Sequence, residues 1–121
     1  MNKILTAILF SALLGTASCA DYNRILKTSD YEYKYEAAKQ YYAEGQYNRA
    51  ATLLGDLLTT LKGTDQGEES LFLTGMCNFN SHSYDAAASI FRKYYQTYPK
   101  GRYAEQARFN CGYALYKNTP E

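Results

Sequence analysis

The sequence predicts an all-α fold of stacked helical hairpins, an α-solenoid of about two and a half repeats over residues 29–121. A shift of 37 residues places Ala38 on Gly75 and Gly75 on Gly112, so that small residues fall on small ones. Large residues keep the same register, as where Phe72 falls on Phe109. Apolar residues within each unit recur at helical spacing, which indicates helices buried along one face.

Five helices follow from this pattern. Ser29 and Glu32 form a predicted capping box that opens the first helix, which continues to about residue 44 and breaks at Gly45. Gly63 and the Pro99 to Gly101 segment separate the later units. The remaining predicted helices are Tyr47–Leu61, Glu68–Asn80, Tyr84–Tyr98 and about Arg102–Tyr116.

The small residues of the repeat are explained by close packing between helices. Ala38, Gly75 and Gly112 are predicted to lie where the first helix of each unit approaches its second helix closely. Ala50 and Ala87 are predicted to do the same from the second helix. The chain ends where a third second helix would begin, so we expect the N-terminal part of a longer repeat protein.

Residues 1–18 are predicted to be a signal peptide. Lys3 supplies a positive start, and the apolar stretch 4–14 is too short for the ~20 residues that span a bilayer. The small residues before Cys19 resemble a bacterial lipobox, which predicts a diacylglycerol and an acyl chain such as palmitate on Cys19. Cleavage by ordinary signal peptidase after Ala20 is the alternative. Residues 19–28 are then the lipidated N-terminus and a linker.

Composition excludes several functional classes. Of the 13 Lys and Arg residues, Lys3 is removed with the signal peptide, so 12 basic residues remain against 12 Asp and Glu. This balanced charge gives no basic surface for nucleic acid, so nucleic-acid binding is excluded.

His82 is the single histidine and is predicted to be a solvated turn residue. No catalytic or metal-binding motif is present, so we expect no enzyme and no metal. Cys77 and Cys111 are interpreted as small buried residues, with a disulfide between them as the alternative.

The repeat resembles the tetratricopeptide repeat, in which the first helices line a concave face. The resemblance implies a groove with two aromatic rows and a few polar side chains, suited to an extended segment that carries an aromatic residue. The Lys, Arg and Asn clamp for a peptide carboxylate, familiar in such repeats, is missing. The predicted groove residues are Tyr35, Lys39, Tyr42, Phe72, Met76, Phe79, Asn80, Phe109, Asn110, Tyr113 and Tyr116.

The segments 41–50 and 91–118, with their Tyr-Pro-Lys-Gly loop, are similar to the BamD (ComL) family of outer-membrane assembly lipoproteins. The resemblance implies a lipid-anchored protein on the periplasmic side of the outer membrane, without a cofactor apart from its lipid. It also implies three kinds of partner: the barrel protein BamA, other subunits of the β-barrel assembly machinery, and unfolded β-barrel outer-membrane proteins. A periplasmic scaffold of the cell-division type and a nutrient-uptake lipoprotein are the alternative functions.

Overall fold

The structure, a computed structural model, describes residues 19–121. The predicted signal peptide lies outside the described residues. Helix α1 comprises residues 19–27 of the described range. The other helices are α2 (Tyr31–Ala43), α3 (Tyr47–Thr60), α4 (Asp65–Asn80), α5 (Tyr84–Thr97) and α6 (Ala104–Asn118). Residues 19–121 contain no strand, which confirms the predicted all-α class.

The helices form tetratricopeptide-like hairpins in two layers. Each helix from α2 to α5 packs against the next one in the chain, and α2 also contacts α4. Helices α2, α4 and α6 are therefore the first helices of successive units, and α3 and α5 are the second helices. Two apolar clusters fill the spaces between them. One centres on Leu53 and Leu54, and the other on Phe91 and Tyr94, all four fully buried.

Helix α1 occupies the segment that the sequence predicts to be a linker, so that expectation is corrected. Ile25 is 5% exposed and belongs to the first apolar cluster. Lys34, which is also buried, donates from Nζ to the carbonyl oxygen of Leu26 at 3.1 Å and to Asp56 Oδ2 at 3.2 Å. These contacts attach the end of α1 to α2 and α3, so residues 19–27 are part of the folded body.

The predicted capping box of Ser29 and Glu32 is wrong. Asp30 caps α2 instead, because its Oδ1 accepts the backbone N–H of Tyr33 at 3.0 Å. Two good capping residues stand side by side in the sequence, and the helix uses the second. Helix α4 also begins earlier than predicted, at Asp65, after a threonine cap.

The turns inside the two hairpins have left-handed residues at equivalent places. Gly45 has φ of 77°, and His82, which lies 37 residues later, has φ of 63°. A non-glycine residue in this region costs about 1 kcal/mol, which the surrounding hairpin must offset. His82 is exposed and its Nδ1 lies 2.7 Å from the Tyr84 hydroxyl. Its prediction as a turn residue is therefore confirmed.

Close approach is observed at two of the three small positions of the first helices. Ala38 is fully buried. A Cβ placed on Gly75 would lie 2.6 Å from Cε1 of the fully buried Phe91, so a side chain there must displace the ring. Gly112 differs, since nothing lies within 4 Å of a Cβ at that position. The predicted close approach at Gly112 is therefore not observed within residues 19–121.

Candidate functional site

The eleven predicted groove residues do not form one continuous open groove. Tyr35 and Phe72 are each only 5% exposed. The Phe72 ring stacks on Tyr103 with centroids 4.4 Å apart and lies 5.8 Å from the rings of Phe91 and Tyr94. Phe72 is therefore directed between α5 and the start of α6. The expectation that Tyr35 and Phe72 line an open groove is corrected, and both are core residues.

One of the two predicted aromatic rows consists of Tyr42, Phe79 and Tyr116, and its first two members pack against the start of the second helices. The Tyr42 ring lies 5.6 Å from Tyr47, and the Phe79 ring lies 5.3 Å from Tyr84, both in edge-to-face arrangements. Tyr42 and Phe79 are half-buried. Burial raises the pKa of Tyr42, although the neighbouring side chain of Asn80, at the end of α4, acts to lower it. Tyr42 and Phe79 therefore close the ends of the hairpins and present only part of their surface.

A polar network centred on Glu69 closes the part of the surface between α2 and α4. Tyr35 donates its hydroxyl to Glu69 Oε1 at 2.7 Å, and the Lys39 Nζ lies 3.2 Å from the same oxygen. The Tyr103 hydroxyl donates to Glu69 Oε2 at 3.1 Å. Lys39 was predicted as a polar residue of the groove, but its charge is already engaged by Glu69. The network joins three consecutive units.

The ionisation of the network follows from these contacts. Burial raises the pKa of Glu69, but hydrogen bonds from Tyr35, Lys39 and Tyr103 outweigh it, and the pKa is lowered overall. Burial and the hydrogen bond to Glu69 raise the pKa of Tyr35 to about 12. The hydrogen bond to Glu69 raises the pKa of Lys39. Glu69 is thus held as a carboxylate and both donors keep their protons. The sequence offered one signal for this residue, since Glu32 and Glu69 share a repeat position.

Helix α6 carries the exposed part of the predicted site. Phe109 is 70% exposed, Tyr116 73% and Tyr113 42%. The Tyr113 ring stacks between the other two at 6.1 and 6.3 Å, and it lies 5.4 Å from the half-buried Phe79. We call Phe109, Tyr113 and Tyr116 the α6 aromatic row. Asn110 Nδ2 beside this row lies 3.4 Å from the Met76 sulfur, which attaches α6 to α4.

The exposed part of the predicted site consists of aromatic rings. The α6 aromatic row presents apolar faces with two hydroxyl groups, a combination typical of protein recognition. Within residues 19–121, no group of three or more His, Cys, Asp or Glu residues is placed to hold a metal ion. Cys77 and Cys111 are free and buried in different apolar clusters, which confirms their interpretation as small core residues. Burial raises the pKa of Cys77 to about 12.

The predicted lipidation site lies at the surface. Cys19 is exposed, and its Sγ is 3.4 Å from Nη2 of Arg49 at the start of α3. Arg49 also lies over the rings of Tyr22 and Tyr41. None of the helices described over residues 19–121 is long and apolar enough to cross a membrane.

Comparison with known proteins bears on the second half of the chain. Residues 64–120, which cover α4 to α6 and slightly less than half of the chain, match the family model YfiO, described as outer membrane lipoprotein. The match supports a BamD-like family. No curated protein and no solved structure matches the chain. The YfiO family is one of non-enzymatic lipoproteins.

Proposed function

We propose that this chain is an outer-membrane lipoprotein of the β-barrel assembly machinery that binds unfolded barrel proteins and partner subunits through its repeats. The family match over residues 64–120 supports the class of protein. The α6 aromatic row carries the proposal of binding, because it lies inside the matched region. Large rings exposed side by side are typical of an interaction surface.

The proposed ligand is the extended, aromatic-ended segment of an unfolded barrel protein. Tyr113 and Phe79 form a pair of rings at the edge between α6 and α4, against which a terminal aromatic side chain can stack. Three polar side chains on the same two helices are proposed to hydrogen-bond a backbone or a carboxylate: Asn80, next to Phe79 on α4, and Asn110 and Lys117 on α6. Lys117 is exposed, and its Nζ lies 5.7 Å from the centre of the Tyr84 ring.

Anchoring to the membrane is the second part of the proposal. Cys19 is exposed at the start of α1, where an acyl chain can extend away from the folded body. Each buried methylene of such a chain contributes about 0.8 kcal/mol, and several chains on one residue give stable attachment. Attachment there places the repeats at the periplasmic surface of the outer membrane, where unfolded barrel proteins arrive.

Peptide binding tests this proposal. The chain from residue 19 onward, with Cys19→Ala to prevent lipidation, is titrated with peptides that end in Phe and with matched peptides that lack the ring. We expect Tyr113→Ala to weaken binding of the Phe-ended peptide by about fivefold to tenfold, the value of one aromatic contact. Tyr31→Ala is the matched control, because Tyr31 is 43% exposed and lies on α2, away from α6. Equal binding of both kinds of peptide would refute the proposal.

A further inference from the structure

Helix α1 is attached to the folded body at two places, one helical turn apart. Ile25 is 5% exposed, and the carbonyl oxygen of Leu26 accepts a hydrogen bond from the buried Lys34 at 3.1 Å. Closer to the start of α1, the Tyr22 ring lies edge-on to Tyr41 of α2, with centroids 5.7 Å apart. A helix held at both places cannot swing freely on the body.

Arg49 of α3 extends this attachment to Cys19. Its guanidinium carbon lies 4.9 Å from the centre of the Tyr22 ring and 5.8 Å from that of Tyr41. Its Nη2 lies 3.4 Å from Cys19 Sγ. Cys19 precedes Tyr22 by three helical residues, a rise of about 4.5 Å. A lipid on Cys19 is therefore joined to the folded body without a flexible tether.

Cys19 lies at the edge of the stack where the hairpins turn. The turn between α2 and α3 leads directly to Arg49 in the first turn of α3. The turn between α4 and α5 lies beside it, because Ser81 Oγ is 3.5 Å from Asn48 Oδ1 and both residues line one cleft. We call residues 44–49 and 81–84 the hairpin edge. The lipid site and both turns are thus on the same edge.

The loops that follow the second helices form the opposite edge. The N–H of Gly63 donates to the Tyr98 hydroxyl at 3.2 Å, which holds the loop after α3 against the loop after α5. Helix α5 has 14 residues, so it separates the two edges by about 21 Å. A lipid fixed at Cys19 is therefore much closer to one edge than to the other.

The hairpin edge has a composition that suits the polar layer of a bilayer. It contains Tyr47 and Tyr84, both half-buried. Tyrosine is enriched at membrane–water interfaces, because its ring is apolar and its hydroxyl is polar. The charged residues of the hairpin edge are Glu44 and Arg49, which are opposite in sign. The edge therefore carries no net charge that a headgroup layer would repel.

The opposite edge is the competing surface for an anionic membrane. Lys62, Lys100 and Arg102 are exposed there, and anionic headgroups attract such residues. Acidic side chains offset part of this charge, since Glu68 Oε1 accepts the N–H of Arg102 at 2.7 Å. Salt screens the remaining attraction, whereas a lipid on Cys19 is covalent. The position of the lipid therefore outweighs the basic loops.

We propose that the lipid on Cys19 holds the hairpin edge against the phospholipid headgroups, so that the repeats have one fixed orientation on the membrane. Helices α3 and α5 then lead away from the bilayer. The inference rests on the lipid anchor of the proposed function and adds to it the surface that contacts the membrane. A flexible tether after Cys19 would give no such orientation.

Tryptophan fluorescence tests the orientation, because the chain contains no tryptophan. Ser83→Trp places a reporter on the hairpin edge, and Lys100→Trp is the matched reporter on the opposite edge; both positions are exposed. The chain from residue 19 onward is coupled through the Cys19 thiol to a maleimide phospholipid in phosphatidylcholine vesicles. A brominated lipid in the vesicles is the quencher. Cys77 and Cys111 are buried and do not compete for the coupling.

We expect the brominated lipid to reduce the fluorescence of Ser83→Trp and to leave that of Lys100→Trp unchanged, since bromine quenches at short range. A glycine–serine linker inserted after Cys19 should abolish the difference, because α1 stays folded while the lipid becomes mobile. Arg49→Ala should reduce the difference, because it removes the contact between α3 and the start of α1. Circular dichroism checks that each variant is folded.

Three results would overturn the proposal. Equal quenching of the two reporters would show that the body has no fixed orientation. Stronger quenching of Lys100→Trp would assign the membrane contact to the basic loops of the opposite edge. A difference that the inserted linker leaves unchanged would show that attachment at Cys19 does not set the orientation. The lipid is coupled chemically, so these results do not depend on lipidation in the cell, and peptide binding tests the rest of the proposed function separately.

Discussion

The same substitution at two equivalent glycines should change stability in opposite directions. At Gly75 an alanine Cβ would lie 2.6 and 2.8 Å from two ring carbons of Phe91. Carbon atoms in contact prefer about 3.5–4.0 Å, so the ring or the helix must move by about 1 Å. Phe91 is fully buried and has little room to move. We expect this overpacking to cost about 1–3 kcal/mol.

Helix propensity acts against that cost. Alanine is favoured over glycine by about 1 kcal/mol inside a helix, so the net loss for Gly75→Ala is about 0–2 kcal/mol. Gly112→Ala gains the same propensity without a contact, because nothing lies within 4 Å of its Cβ. The difference between the two variants therefore isolates the contact with Phe91. It amounts to about 1–3 kcal/mol, or at least several degrees in Tm.

Urea and thermal unfolding followed by circular dichroism measure this difference. We expect Gly112→Ala to unfold at a higher temperature than the unsubstituted chain and Gly75→Ala at a lower one or close to it. Adding Phe91→Leu to Gly75→Ala should recover part of the loss, as in the Ala38 and Leu54 pair of the first unit. An equal stabilisation by both alanine substitutions would refute the reasoning, since the Phe91 ring would then yield at no cost.

Four further variants test other parts of the structure. Tyr94→Phe removes a hydroxyl that accepts a hydrogen bond from the Tyr103 N–H and donates one to Glu68. The free energy of unfolding in urea should therefore fall by about 1–3 kcal/mol. Ser70→Ala removes a buried hydroxyl without a hydrogen-bond partner, so the same measurement should show a gain of about 1 kcal/mol. The folded pKa of Glu69 is lowered, so its contribution is complete above the unfolded value of about 4.3 and is lost as the pH falls through the folded pKa. Acid titration should therefore destabilise the unsubstituted chain more than Glu69→Gln, and identical acid profiles would contradict this. Cys19→Ala should move the protein from the membrane fraction to the soluble fraction and remove the lipid mass from its N-terminus; retention in the membrane would contradict lipidation there.

The repeat pattern was sufficient to predict the helices from α2 to α6. Small residues recur where helices touch, and glycines recur where the chain turns, so sequence spacing carries this information directly. The start of α2 was misplaced because Ser29 and Asp30 are both good caps, and only the backbone geometry decides between them. Helix α1 was missed because its short segment carries no repeat, and its burial depends on α2 and α3.

The site was harder to predict than the fold. The register correctly makes Tyr35, Phe72 and Phe109 equivalent positions, yet the first two are 5% exposed and the third is 70% exposed. The exposure of each residue depends on whether other helices pack on it. The equivalence of two positions in the repeat does not carry that information. The repeat marks Glu69 only as the equivalent of Glu32, and its role depends on hydroxyl groups that come from two other units.

Four of the side-chain contacts between neighbouring units span the same number of residues. Tyr35 to Glu69, Glu69 to Tyr103, Glu32 to Gln66 and Met76 to Asn110 each join residues 34 positions apart. Such contacts require the closure of loops no longer than about one repeat, so the entropy cost of forming them is limited. Each unit can form its side-chain contacts with the next unit once about 34 further residues are free to fold. The protein can therefore fold progressively from its N-terminus, one unit after another.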